Sequence, residues 1–177
     1  MNTLVSSFIS ALGYFTVLGQ VLTVVLLVIL LVQPKKKTKL YEYYSLFKSN
    51  ALTFAFIVAS SAALGSLFLS EIAGFDPCRL CWYQRAFMYP ISIILLVSLI
   101  KNDRGVVKYV LPLSVIGGVI AVYHYVMQLF PTVLSCSEEI AKCSTIQFAQ
   151  FGYITIPLMS ATAFALIILS SLIYIKK

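Results

Sequence analysis

The chain has 177 residues, of which 60% are hydrophobic and 11% are charged, and its mean hydropathy is +0.96. So few polar side chains cannot cover a soluble domain of this size, which excludes a soluble globular protein and indicates a protein of the lipid bilayer. The formal net charge of +7 could suggest nucleic-acid binding, but lysines and arginines in a membrane protein first mark its topology. We therefore expect one membrane bundle and no nucleic-acid partner.

Five stretches carry no charge and are candidate membrane spans. They cover residues 2–32, 51–70, 86–100, 109–123 and 151–175. A bilayer core of roughly 30 Å needs about 20 helical residues, so the third span must begin near Trp82 and the fourth must continue to about Phe130. Backbone groups in lipid must be paired internally, which predicts an all-α membrane protein. Gly117 and Gly118 would let the fourth span pack closely against a neighbour.

The first stretch lies where a signal peptide would. It lacks a basic start, however, its apolar run is too long, and no small-residue cleavage site precedes Pro34. We interpret residues 1–33 as a membrane span and residues 34–50 as a basic cytoplasmic connection.

Ten of the thirteen basic residues fall in connections on one side of this arrangement. They are Lys35, Lys36, Lys37, Lys39, Lys48, Lys101, Arg104, Lys108, Lys176 and Lys177. Because basic residues concentrate in cytoplasmic connections, the amino terminus would face outward and the carboxyl terminus inward. Residues 71–81 and 131–150 then emerge on the outer face, and all four cysteines lie there.

The cysteines are spaced Cys-x-x-Cys at Cys78 and Cys81, and Cys-x6-Cys at Cys136 and Cys143. Four cysteines permit three pairings, and two structural disulfides would be ordinary outside a cell. A Cys-x-x-Cys pair favours thiol exchange instead, because its short loop constrains little chain entropy. Since Pro77 precedes this pair and an apolar span follows, we expect it in the first turn of a membrane helix, where the helix dipole lowers a thiol pKa.

A structural zinc site is the alternative interpretation of four cysteines. Structural zinc sites usually hold their ligands in close pairs, and the Cys-x6-Cys spacing departs from that pattern. We therefore expect no metal.

Two further polar side chains lie at the outer ends of spans. Arg85 shares a helix face with Cys78 and Cys81. Burying the charge of Arg85 in the membrane is costly unless the guanidinium holds an anion or the polar head group of a ligand. Alternatively, the Arg85 side chain could extend to lipid phosphates. His124 could be a hydrogen bonder between helices. Its depth matches that of Arg85, so the two side chains could line one pocket.

The segment Cys78-Arg-Leu-Cys-Trp-Tyr-Gln-Arg85, continuing Ala-Phe-Met-Tyr-Pro90, resembles the bacterial disulfide bond formation proteins of the DsbB type, particularly their BdbC-like branch. The resemblance continues through Tyr123-His124, the second cysteine pair and the segment from Phe151 to Pro157, and covers roughly residues 51–175. It implies a four-helix membrane bundle over residues 51–177, with the first span as an extra helix. The second cysteine pair is closer together than in proteobacterial members, which would affect the partner it accepts.

The resemblance also implies an activity, that of a protein-dithiol:quinone oxidoreductase. It would reoxidise an extracytoplasmic, DsbA/BdbD-like thioredoxin-fold thiol oxidase and pass the electrons to menaquinone or ubiquinone. Thiolate attack on disulfides needs no metal. Two alternative functions remain. One is a protein that carries electrons across the membrane to thiols outside, which needs cysteines within spans or facing inward. The other is a membrane scaffold with two structural disulfides.

Six site residues follow from the resemblance, four catalytic cysteines and two quinone-binding side chains. They are Cys78, Cys81, Cys136, Cys143, Arg85 and His124. The first cysteine pair would face the quinone and the second pair the partner. Chain order in the family implies that Cys143 attacks Cys78 while Cys136 bonds to the partner.

Overall fold

The computed structural model of the chain describes residues 3–32, 39–130 and 143–176. Five long helices account for most of these residues: α1 (Thr3–Val32), α2 (Lys39–Glu71), α3 (Arg79–Lys101), α4 (Val107–Leu129) and α5 (Ile156–Ile175). A short 3-10 turn, Arg104–Val106, precedes α4. Each long helix is apolar enough and long enough to cross a bilayer, which confirms the predicted all-α, multi-pass membrane fold.

The starts of α2 and α5 lie well away from the starts of the predicted spans. α2 begins at Lys39 rather than at residue 51, because no proline or glycine interrupts the segment up to Asn50. α5 begins at Ile156 rather than at residue 151, because Phe151 and Gly152 have positive φ angles of 52° and 80°. The cytoplasmic location of residues 34–50 stays a prediction, and residues 33–38 lie outside the described ranges.

Helices α2, α3, α4 and α5 contact one another in a closed ring, and α1 packs outside that ring against α5. Fully buried apolar side chains fill the ring, among them Ile91, Leu95 and Phe164. A Cβ atom at Gly117 would overlap the Phe164 ring, so a glycine is needed where α4 crosses α5. The structure therefore confirms both the four-helix bundle with one extra helix and the close packing predicted at Gly117.

The two ends of the bundle differ in what they bring together. At one end the α2–α3 connection meets the segment before α5, where Gln147 Nε2 donates a hydrogen bond of 2.9 Å to the Asp76 carbonyl. At the opposite end Lys176 Nζ donates to the Leu30 carbonyl at 2.8 Å, and Lys48 Nζ donates to the Lys176 carbonyl. The described cysteines lie at the first end and these lysines at the second.

Candidate functional site

The Cys-x-x-Cys pair lies where α3 begins. Cys78 is the N-cap residue, with extended backbone (φ −69°, ψ 171°), and Cys81 lies in the first turn, as the position of Pro77 predicts. The Cys78 thiol donates a hydrogen bond to the Cys81 sulfur, the two sulfur atoms are 3.3 Å apart, and both side chains are half-buried. Because a disulfide bond is about 2.05 Å long, small side-chain rotations would join the pair.

Cys143 is the third sulfur of the site and is buried. Its thiol donates a hydrogen bond to the Cys78 sulfur, so the sulfurs form one hydrogen-bonded series in the order Cys143, Cys78, Cys81. Backbone N–H groups of Leu80 and Arg79 at the start of α3 donate to the Cys143 sulfur. The amides at the amino-terminal end of α3 are therefore directed at Cys143.

In this reduced arrangement, the pKa values of the Cys78 and Cys143 thiols are both raised, so neither thiol ionises readily. Donation to Cys81 raises the pKa of the Cys78 thiol to about 11, and burial acts in the same direction. Burial raises the pKa of the Cys143 thiol to about 11, and its bond to Cys78 adds to the effect. The Cys78 side chain makes no capping hydrogen bond to the amides at the start of α3.

Cys136, the remaining predicted site cysteine, lies outside the described residues. The acidic Glu138 and Glu139 and the basic Lys142 of the same connection lie outside them as well. The roles of Cys136 in pairing and in partner contact stay predictions.

His124 joins three parts of the chain from a buried position on α4, where it is 1% exposed. Gln84 Nε2 donates to His124 Nδ1 at 2.9 Å, which puts the ring proton on Nε2. That nitrogen lies 3.0 Å from the Cys143 carbonyl, to which it donates, and 3.6 Å from the Cys78 sulfur. His124 therefore holds Cys143 beside Cys78 through this hydrogen bond.

Arg85 is directed into the protein rather than toward lipid phosphates. It is 8% exposed, and its Nε and Nη2 atoms donate to the Ser66 hydroxyl at 2.8 Å and to the Ser66 carbonyl at 2.7 Å. The guanidinium carbon lies 5.3 Å from the centre of the Trp82 ring, a cation–π distance. Ser66 on α2 thus fixes the charge of Arg85 at membrane depth.

Two cavities meet at Cys81. A small pocket of about 20 Å³ lies among the sulfurs of Cys78, Cys81 and Cys143 and is also lined by His124. A cavity of about 560 Å³ lies between α1, α2, α3 and α5, and it is lined by Cys81, Gln84 and Arg85 among mainly apolar side chains. Such a volume is typical of small-molecule sites. We refer to it as the membrane cavity.

The expectation that His124 and Arg85 line one pocket is wrong. His124 lines the small sulfur pocket and Arg85 lines the membrane cavity. The physical reason is their hydrogen bonding, since His124 is bound to the Cys143 segment while Arg85 is bound to α2. Gln84 connects the two regions, because it lines the membrane cavity and donates to His124.

Three residues of this site were missed by sequence reasoning: Ser66, Gln84 and Tyr89. Tyr89 lines the membrane cavity, and its buried hydroxyl has no hydrogen-bond partner among the described residues. Its place could have been found, because it follows Arg85 by four residues and so shares the face of Cys81 and Arg85. Ser66 gave no signal, because its role depends on how α2 packs against α3.

One grouping at this site has the composition of a metal centre. The ligand atoms of Cys78, Cys81 and His124 all lie within 4.8 Å of one another. Cys-Cys-His sets of this kind bind thiophilic divalent cations. Oxidation of the two cysteines to a disulfide would remove two of the three ligands, so metal binding and disulfide formation would exclude each other.

Comparison with known proteins connects this geometry to one family. The family model described as "Disulfide bond formation protein DsbB" matches residues 48–174. The chain is 48% identical over 113 residues to the SPbeta prophage-derived disulfide bond formation protein B of Bacillus subtilis, covering 63% of this chain and 76% of that protein. It is 44% identical to disulfide bond formation protein C of the same organism, covering 68% and 91%.

A further relative is the probable disulfide formation protein C of Halalkalibacterium halodurans, which is 38% identical over 72% of this chain and 95% of its own length. No solved structure matches the chain. The family match spans α2 to α5 and includes the three described cysteines, whereas α1 lies before it. The chain belongs to the DsbB family of membrane proteins, whose function is thiol oxidation in disulfide bond formation.

Proposed function

We propose that this protein is a protein-dithiol:quinone oxidoreductase. It oxidises the dithiol of an extracytoplasmic, DsbA/BdbD-like thioredoxin-fold thiol oxidase and passes the electrons to menaquinone or ubiquinone in the membrane. The observation that carries the proposal is the position of Cys81, which lines both the sulfur pocket and the membrane cavity. Electrons that arrive through Cys143 and Cys78 therefore have a route to a lipid-soluble acceptor.

The exchange begins with both cysteine pairs oxidised. A partner thiolate attacks Cys136 and releases Cys143, which attacks Cys78, breaks the Cys78–Cys81 bond and releases Cys81. The second partner thiolate attacks the partner sulfur bonded to Cys136, which leaves the partner oxidised and Cys136 free. Cys136 then attacks Cys143 and releases Cys78. Two electrons and two protons have passed from the partner to Cys78 and Cys81.

The order of the sulfurs supports this sequence of attacks. Cys143 is hydrogen-bonded to Cys78, and Cys78 is hydrogen-bonded to Cys81, so each attack joins neighbouring sulfurs. The N–H groups at the start of α3 that donate to the Cys143 sulfur would stabilise its thiolate when it is released. His124 and Gln84 are positioning residues, because they act through the Cys143 carbonyl.

The membrane cavity has the chemistry that a quinone requires. Its walls are mainly apolar, and the polar side chains that line it include Ser66, Gln84, Arg85 and Tyr89. A quinone bound there would accept the two electrons and two protons of the Cys78–Cys81 dithiol. Arg85 is fixed by Ser66 and would hold a quinone oxygen that gains negative charge, while the unpaired Tyr89 hydroxyl would donate a second hydrogen bond.

A purified-protein assay tests the proposal. A reduced thioredoxin-fold donor and a quinone are added, and quinone reduction is followed by absorbance. We expect turnover by the unsubstituted protein and none by Cys81→Ser. We expect Cys143→Ser to block oxidation of the donor and yet leave the Cys78–Cys81 pair oxidisable by quinone, which trapping of free thiols on a gel measures. Cysteines that never cycle between redox states would instead indicate a scaffold with structural disulfides.

A further inference from the structure

Helix α1 lies outside the family match, which begins at residue 48, yet it forms one wall of the membrane cavity. Six of its residues line the cavity, and they span more than two turns of the helix. They are Leu12, Phe15, Thr16, Leu18, Gly19 and Leu22. Without this wall, the cavity beside Cys81 and Arg85 would face lipid along the groove between α2 and α5.

The docking of α1 is built from specific contacts. A Cβ atom at Gly19 would come within 3.1 Å of Thr162 Cγ2, so the α1 backbone lies close against α5. Leu26 is buried in a cluster with α5 side chains that include Ile173. The Tyr153 hydroxyl donates to Gln20 Oε1 at 3.0 Å. These contacts fix α1 in place relative to α5 and to the segment before it.

The contacts between α1 and α2 leave an opening midway along the two helices. The rings of Phe8 and Phe68 meet at one end, with centroids 3.8 Å apart. Toward the other end, Leu22 of α1 and Phe54 of α2 pack against the same cluster around Leu26. Leu12 of α1 also lies beside Gly65 of α2, where an added Cβ atom would come within 3.6 Å of the Leu12 Cδ2 atom. The opening lies further along, between this contact and the Leu26 cluster.

Four residues border this opening. Phe15 and Leu18 of α1 are 68% and 64% exposed, Ile57 of α2 is 58% exposed, and Ser61 of α2 is exposed as well. All four also line the membrane cavity. Residues that line a cavity and remain this exposed lie at its mouth, so the cavity opens sideways between α1 and α2 at membrane depth.

We propose that α1 is part of the quinone site of this chain, in that it closes the membrane cavity and, with α2, frames a mouth through which the quinone tail reaches the bilayer. The proposal rests on the proposed function, because it takes a membrane quinone as the ligand. A quinone head group needs the polar side chains near Cys81, whereas a long isoprenoid tail exceeds the cavity and needs an apolar exit. The mouth between Leu18 and Ser61 supplies that exit.

Equilibrium binding tests this inference without relying on turnover. Trp82 is the single tryptophan of the chain and lies 5.3 Å from the Arg85 guanidinium, so a quinone in the cavity should quench its fluorescence. Leu18→Phe and Ser61→Phe narrow the mouth from α1 and from α2, singly and together. Val21→Phe and Leu64→Phe are matched controls, because both native side chains are exposed and neither lines the cavity.

We expect the paired mouth variant to raise the Kd of a long-tailed quinone about tenfold and to leave the Kd of tail-less menadione within about twofold. The effects of the two mouth substitutions should be non-additive, since both act on one opening. An equal change in the control pair, or an equal change for both quinones, would overturn the role of α1. If the unsubstituted protein binds neither quinone, the proposed function fails and the role of α1 fails with it.

Discussion

At the scale of single residues, hydrogen bonds among the thiols control when they react. Cys78 and Cys143 both have pKa values of about 11, so below that pH each is mainly protonated, and its thiolate fraction rises about tenfold per pH unit. We expect alkylation of the reduced protein by iodoacetamide at these two positions to rise in the same proportion between pH 7 and pH 10. Mass spectrometry of the labelled peptides measures this. A rate that levels off below pH 9 would contradict the hydrogen-bonded arrangement.

Tyr89 permits a test in which stability and ligand binding separate. Its buried hydroxyl has no partner among the described residues, so Tyr89→Phe should leave the unfolding midpoint in detergent unchanged or slightly raised. The same substitution should weaken quinone binding by about threefold to tenfold, because one hydrogen bond to the ligand is lost. Fluorescence titration measures the affinity. Unchanged affinity with lowered stability would show that the hydroxyl serves the fold alone.

At the scale of helices, the α4–α5 contact depends on Gly117, which has no side chain. Gly117→Ala places a methyl group against the fully buried Phe164 ring, and overpacking of this kind costs about 1–3 kcal/mol of unfolding free energy. Gly118→Ala is the matched control, because its added methyl group meets Phe164 at an ordinary 3.4 Å. Unfolding midpoints in detergent compare the two variants. Equal destabilisation would show that helix propensity rather than packing sets the cost.

The helices could be predicted from the sequence because a bilayer leaves few alternatives for long uncharged stretches. The starts of α2 and α5 could not, since helix starts depend on local backbone features. At α5 these are the positive φ angles of Phe151 and Gly152, which carry little hydropathy signal. Hydropathy detects apolar length, and it is insensitive to where a polar or aromatic segment enters a helix.

The candidate site was predictable only as far as neighbours along the chain determine it. Cys78, Cys81 and Arg85 share one helix face, so their proximity follows from helix geometry. The hydrogen bond of Arg85 to Ser66 and that of His124 to the Cys143 carbonyl join distant segments. The position of each residue within its span predicts that His124 and Arg85 lie at a similar depth in the membrane. That position gives no information on the direction in which each side chain points.

At the scale of the whole molecule, the basic residues and the cysteines predict one orientation in the membrane. Lys48 and Lys176 meet at the end opposite the described sulfurs, which supports a cytoplasmic position for that end and an outward position for the sulfurs. We expect a membrane-impermeant thiol reagent to label the reduced cysteines in intact cells. Labelling only after the cells are opened would reverse the orientation.

The grouping of Cys78, Cys81 and His124 makes the whole molecule sensitive to thiophilic metals in one redox state only. Under the proposed function, the protein would accumulate in its reduced form when the electron acceptor is scarce, and Zn²⁺ would then be captured as an inhibitor. The His124 ring proton would move to Nδ1, and the oxygen of a rotated Gln84 amide could accept a hydrogen bond from it.

Zn²⁺ should protect Cys78 and Cys81 of the reduced protein from alkylation, and His124→Ala should weaken that protection. Retention of Zn²⁺ by the oxidised protein to the same extent would show that the metal binds elsewhere. An idle enzyme would thus be the vulnerable one, and an adequate supply of acceptor would protect it from metal poisoning.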